Sequence, residues 1–237
     1  MPTTLARPLV ATPALQAGER PDRKAAILLA AERLFAQHGY HAVSIRQIAA
    51  EAGVPLALVG YYYGAKHELF HAIFAHWQPT IEARLALLRE AVAQTQARPA
   101  ALHRIVSAFV EPVLQMRASP EGEFYALLVS RELLYVRDET DRVLRDFFDP
   151  LAHAFIDALH TMRPQATRAQ TAWAYQFALG ALLHHTSDRR VQRLSRGANA
   201  PNDAAAAPLL IRFITAGIHA ALQAPPTHPD HSKESSP

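Results

Sequence analysis

Residues 39–69 read GYHAVSIRQIAAEAGVPLALVGYYYGAKHEL, and this stretch decides the fold. Ser44 suits a helix N-cap, because its hydroxyl can accept from a free amide of the first turn. After it, Ile45, Ile48, Ala49 and Ala52 recur at the spacing that puts them on one helical face. Gly53 permits a tight turn, Val54 can plug the joint, and a second short helix starts at Pro55. Upstream, Lys24 to His38 offers Ile27, Leu28, Ala31, Leu34 and Phe35 as a face to pack beneath the pair. Helix, short glycine turn, helix is the spacing of a helix-turn-helix, although an ordinary helical hairpin with a glycine corner reads the same way.

The cluster Tyr61, Tyr62, Tyr63 and Lys66 separates these alternatives. Three adjacent phenols point in different directions, and each needs a hydroxyl partner if buried. At a helix end they suit phosphate oxygens instead, as does a lysine ammonium. A three-helix head of this kind can lay its last helix in a DNA major groove.

Gly39, Ser44, Ile48 with Ala49, Ala52-Gly53-Val54, the three tyrosines, Gly64, Lys66 and Leu69 together resemble the DNA-binding head of the TetR family of bacterial transcriptional regulators. Two departures from that family's pattern occur, covering three positions. Pro55 stands where a capping serine is usual, and Tyr62 and Tyr63 stand where histidine and phenylalanine are common. The resemblance implies that Ser44 anchors one backbone strand and that Tyr61, Tyr62 and Lys66 grip phosphates. It also implies that Arg46, Gln47, Pro55, Leu56, Ala57 and Gly60 lie at the groove. Leu56 and Ala57 have no paired donors, so the recognition helix would read thymine methyls and shape, with Arg46 as the polar base reader.

Outward from the head, the 237-residue chain shows helical periodicity and no sustained alternation of period two. An all-α fold is expected, with a disordered tail over 1–19, a helix-turn-helix domain over 20–65, a helical ligand-binding and dimerisation body over 66–223, and a second tail over 224–237. Helices are expected near 22–38, 44–52, 55–62, 66–93, 99–117, 121–135, 139–162, 165–186 and 204–222, with kinks at Pro79 and Pro150. The absence of cysteine excludes disulfides, thiolate-bound zinc and thiol nucleophiles. Net charge is only +3, and residues 20–70 carry six cations against four carboxylates, too slight a bias to argue from. No apolar run reads as long enough for the ~18 residues of a membrane span, and no secretory leader is visible at the start, so a cytoplasmic protein is expected.

The body also resembles the fatty-acid-responsive branch of the same family, less specifically than the head does. Leu144, Phe148, Leu151, Phe155, Ala158 and Met162 alternate in spacings of four and three, a coiled-coil-like seam. Trp173, Phe177, Gly180 and His184 continue the pattern on the next helix. Either stripe can be intramolecular core. The resemblance implies a homodimer interface, with Leu151, Phe155, Trp173, Phe177, Gly180 and His184 in it. Phe109, Val113, Met116, Phe124, Tyr125, Leu128 and Phe147 are candidates to line an apolar ligand pocket or plain core. Arg131 could anchor a ligand carboxylate or pair with Glu132 or Asp138.

One further motif asks to be weighed. His67-Glu68-Leu69-Phe70-His71 fits the H-E-x-x-H zinc site, but no third ligand lies within reach on the same helix. The expectation is therefore a non-enzymatic, ligand-released repressor that needs no metal or other cofactor and binds a palindromic operator and a small apolar molecule. A helical zinc metallohydrolase or a helical protein-interaction module are the alternatives.

Overall fold

A computed structural model describes residues 22–93, 98–134 and 138–223, and these are helical with no strand among them. Both expected tails lie outside the described residues. Three helices build the head: α1 (Arg23–His38), α2 (Ile45–Glu51) and α3 (Leu56–Tyr63). Asp22 caps α1 by accepting from the amides of Lys24 and Ala25. Ser44 caps α2 in a reciprocal box: its hydroxyl accepts from the Gln47 amide, and the Gln47 side chain accepts from the Ser44 amide. Pro55 supplies no such bond to α3. Ile27, Ala31, Phe35, Ile48 and Val59 close the head's core with almost no exposure.

The body follows as α4 (Lys66–His76), α5 (Gln78–Ala93), α6 (Arg98–Ala118), α7 (Glu123–Leu134), α8 (Asp138–Val143), α9 (Asp149–Met162), α10 (Arg168–Ser187), α11 (Val191–Leu194) and α12 (Ala207–Ala221). The single helix expected over 66–93 is two, because the helical backbone lapses at Trp77 (φ −91°, ψ 1°) ahead of Pro79. Pro79 has no amide to donate to the Ala75 carbonyl four residues back, so the ladder cannot run through it, and it sits instead in the first turn of α5, where that amide is not needed. The helix expected over 139–162 contains a π-helical stretch, Leu144–Phe148, whose wider turn accommodates Pro150. Gly64 opens the way to α4 at φ +69°, and the Glu68 carboxylate fills the space a Cβ would take while accepting from the Ala65 amide at 2.7 Å. Only glycine satisfies both conditions.

Inside the body, α6 packs on α5 and α12, and α10 packs on α9 and α12. Ile211, Ile214 and Ile218 bury one side of α12, while Leu209 and Phe213 on another side stay 63% and 68% exposed. This helix corrects the reading that no segment is apolar enough for a membrane. Residues 204–221 reach 18 residues at mean hydropathy 1.4. Isoleucines on one side, Leu209 and Phe213 on another and alanines between make it so, and the isoleucine side is spent on the protein's own core.

Candidate nucleic-acid interface

The exposed face of the head carries α2 and α3. Arg46 projects into solvent from α2, and Leu56, Ala57 and Gly60 are exposed along α3. Tyr61 is 79% exposed and meets Tyr62 edge to face at 5.1 Å. Tyr63 behaves differently: its hydroxyl donates to the Lys24 carbonyl at 2.9 Å, and the Lys24 ammonium lies over its ring. Burial, with Asp22 nearby, pushes this phenol up to about 12. Lys66 is half-buried with its ammonium 4.3 Å from the centre of the Tyr40 ring, and the partial burial lowers its proton affinity. The Gln47 carbonyl oxygen is committed to the cap of α2, within 2.8 Å of both the amide and the hydroxyl of Ser44. Side chains with free donors and a flat exposed helix therefore share one surface, which is what phosphate and groove contacts require.

Behind that surface the head is fastened to the body through α7. Arg131 donates to the Ala36 and Gln37 carbonyls at the end of α1, 3.3 and 3.4 Å away, and packs against Gly39. Arg33 of α1 bonds Glu51 and lies over the Phe124 ring. Glu32, also on α1, is buried and accepts from the Trp77 indole at 2.7 Å. Trp77 in turn stacks on Tyr125 at 4.9 Å. Desolvation raises the Glu32 carboxyl to about 7, against the hydrogen bonds that pull it down. On the opposite side of the joint His71 of α4 lies 2.9 Å from Asp146, which His71 and Arg142 hold below its ordinary value.

Two sequence models match this chain: the bacterial regulatory proteins of the tetR family over residues 27–73, and the tetracyclin repressor-like C-terminal domain over 107–217. Together they span about two thirds of its length. The chain belongs to the TetR family. It is a DNA-binding transcriptional regulator of that family and not an enzyme. Among solved structures, a TetR-family regulator from Bordetella parapertussis superposes at TM-score 0.58 with 16% identity, covering 82% of this chain and 95% of the other. The fatty acid degradation regulator FadR from Bacillus halodurans superposes at 0.54 with 17% identity, covering 84% and 97%. FadR from Bacillus subtilis in complex with stearoyl-CoA superposes at 0.52 with 15% identity, covering 82% and 99%. At such identities the likeness is one of fold. No curated protein sequence matches the chain.

In this TetR-family body several expected roles move. Arg131 is no pocket anchor, because its guanidinium is spent on α1 carbonyls. Phe124 and Arg131 are seven residues apart, hence on one face of α7, and that face meets the head. Phe147 packs on His71 and Phe74 at the same joint, and Leu128 is fully buried core. Val113 and Met116 pack at the core's margin. Of the pocket candidates only Phe109 lines the apolar cavity between α6, α9, α10 and α12, a space with room for about one water. Leu151 and Phe155 are 3% and 2% exposed within the single chain, so their seam is intramolecular core, not a surface for a second copy. Trp173 and Phe177 do stand out, 58% and 64% exposed and stacked on each other, with Gly180 and His184 exposed beyond them. Leu209 and Phe213 of α12, a helix that packs on α10, are exposed as well. Their signal was present in the sequence as a second apolar stripe, Leu209, Phe213, Ala216, Gly217 and Ala220, opposite the isoleucines. The H-E-x-x-H segment is spent elsewhere, Glu68 on the α4 cap and His71 beside Asp146. Among the described residues no cluster of three metal-ligating side chains occurs.

Proposed function

We propose that this regulator is a homodimeric repressor that occupies a palindromic operator and leaves it when an apolar small molecule enters the body. The observation that carries the reading is the double attachment of α7. One face holds the head through Arg131 and Phe124, and Tyr125 faces the interior from the neighbouring position. A ligand that spreads the interior helices must shift α7, and with it the angle of the head. To release DNA, that ligand must bind the badly spaced form more tightly, since equal affinity for both shifts nothing. A 10²-fold preference per site is worth about 2.7 kcal/mol, enough to matter across two sites.

Trp173, Phe177, Leu209 and Phe213 form an apolar face on two packed helices, which supports a four-helix contact across a twofold axis. Two heads so related must enter grooves about 34–36 Å apart, or a multiple of that. The stearoyl-CoA held by one structural neighbour makes fatty acyl compounds the first ligands to try. The cytoplasm is where such a protein meets its operator. The test is selection of bound duplexes from a random pool, repeated with acyl compounds present. Recovered sites with dyad symmetry that are lost on adding ligand are expected. Sites without symmetry would remove the dimeric reading, and binding indifferent to every apolar compound would remove the release.

A further inference from the structure

The body holds a part-buried cation that no carboxylate among the described residues pairs with. Arg84, on α5, has its Nε sealed from solvent with no hydrogen-bond partner. Its Nη2 reaches the Phe109 carbonyl only at 3.5 Å, and the guanidinium lies 6.0 Å from the centre of the Phe109 ring. The Tyr125 hydroxyl is likewise buried and unpartnered, and both Tyr125 and Tyr175 are close enough to couple electrostatically to Arg84. Among the described residues no carboxylate is paired with this arginine. A donor sealed from water without a partner is rare in a folded chain, because its desolvation goes uncompensated, and the Arg84 Nε and the Tyr125 hydroxyl are both in that state. A folded chain keeps such a group where something else completes it. Next to it lies the apolar cavity walled by Phe109, Phe155, Leu159, Tyr175 and Ile218. Phe109 and Tyr175 belong to both places, their rings 5.7 Å apart.

We infer that Arg84, with the hydroxyls of Tyr125 and Tyr175, is the head-group site for an apolar carboxylate whose unbranched tail enters the adjoining cavity. A carboxylate offers two acceptor oxygens to the fork of guanidinium donors. Burial holds both phenols above their ordinary value, so each meets the ligand as a hydroxyl donor. The cavity has room for about one water as it stands, so its occupant must part the helices, and a slender chain parts them least. The inference rests on the reading of the body as an effector domain, and it names that effector's chemistry and its anchor.

The test is calorimetric titration of the full chain with decanoate and with methyl decanoate, in wild type, Arg84→Met, Tyr125→Phe and the exposed control Arg89→Met. Wild type and Arg89→Met are expected to bind the acid more tightly than the ester. Arg84→Met should lose at least about tenfold in affinity for the acid and nothing for the ester, the worth of one charge-assisted hydrogen bond. Tyr125→Phe deletes an oxygen that has no partner in the free protein, so it keeps the fold and should lose about threefold for the acid. Equal binding of acid and ester by wild type overturns the inference. So does undiminished decanoate affinity in Arg84→Met, or no binding of decanoate by wild type at millimolar concentration. Decanoate that binds through Arg84 without freeing DNA upholds the site and removes the release reading. Release by a neutral compound, equally in wild type and Arg84→Met, with decanoate inert, upholds release and removes the carboxylate.

Discussion

The head and the body of this regulator carry their chemistry in opposite ways. In the head, Arg46, Leu56, Ala57, Gly60, Tyr61 and Tyr62 lie within 17 residues of sequence and face outward from two short helices. In the body, Arg84, Phe109, Tyr125, Phe155 and Tyr175 come from five different helices and face inward. A surface that grips phosphates needs a few side chains at fixed local spacing, so the pattern survives in one dimension. An interior site is defined by how helices pack, and no spacing along the chain encodes that.

The largest way to break this comparison is at the face between the two regimes, outward-facing yet built from α10 and α12. Phe213→Glu places a charge in the centre of the proposed dimer contact. It is expected to give monomers by light scattering at micromolar concentration. Losing the second head should cost roughly 10²–10⁴ in operator affinity, the usual gain from joining two sites. The isoleucine side of α12 is untouched, so helix content should persist. A Phe213→Glu protein that remains dimeric would move the interface away from α10 and α12.

Glu32 tests the joint between the regions through pH. Its folded value of about 7 lies above the 4.5 of an ordinary glutamate, so the folded state holds this proton more tightly than the unfolded chain does. The stability it contributes is complete below about pH 4.5 and is lost as pH rises through 7. The loss should total roughly 3 kcal/mol. Glu32→Gln retains an oxygen for the Trp77 indole and needs no proton, so it should flatten that decline and raise the unfolding midpoint at pH 8. A wild-type midpoint that is constant from pH 5 to 8 would place the Glu32 charge in a far better solvated setting.

How legible each region is in sequence follows from the same difference. Ser44 and Gly64 have the structural surroundings their spacing announces, because caps and turns are local. Composition leaves Phe124 open as pocket or core, and Arg131 as ligand anchor or partner of Glu132 or Asp138. Their true partners, the carbonyls of α1 and Arg33, lie about 90 residues away in the chain. The four-three seam through Leu151 and Phe155 was real, but periodicity fixes only that a stripe is covered, not by what. α12 escaped notice as a surface because an isoleucine stripe hid a second one behind it. Arg84 gave no signal at all: a lone arginine on a helix reads as a solvated side chain until its neighbours are known.

Within the head, Arg46 and Lys66 should separate by kind of effect. Arg46→Ala is expected to cost about 1–3 kcal/mol at its preferred base and to relax selectivity there. Lys66→Ala should weaken all duplexes alike and reduce the slope of log K against log salt by about one. An unchanged slope would mean that the Lys66 ammonium stays on the Tyr40 ring when DNA is bound.

The smallest effects divide the three adjacent tyrosines. Tyr63→Phe removes a hydroxyl that donates to the Lys24 carbonyl at 2.9 Å and ties the end of α3 to the start of α1. It should cost about 0.5–1.5 kcal/mol of stability, the net worth of one such bond, and leave the preference among duplexes as it was. Tyr61→Phe and Tyr62→Phe remove hydroxyls from exposed rings, so stability should stay within about 0.5 kcal/mol of wild type. Each should instead weaken binding to every duplex by about the same amount, as loss of a phosphate contact does. Urea unfolding midpoints set beside duplex affinities for the three variants resolve the division. If Tyr63→Phe lowers affinity while its midpoint is unchanged, Tyr63 leaves Lys24 on binding and joins the phosphate grip. If Tyr61→Phe shifts the midpoint instead, its ring is less free than its exposure implies. The expected pattern, one strap and two free phenols from three identical neighbours, follows from helical geometry alone: successive residues turn by about 100°, so only one of the three can point back at α1.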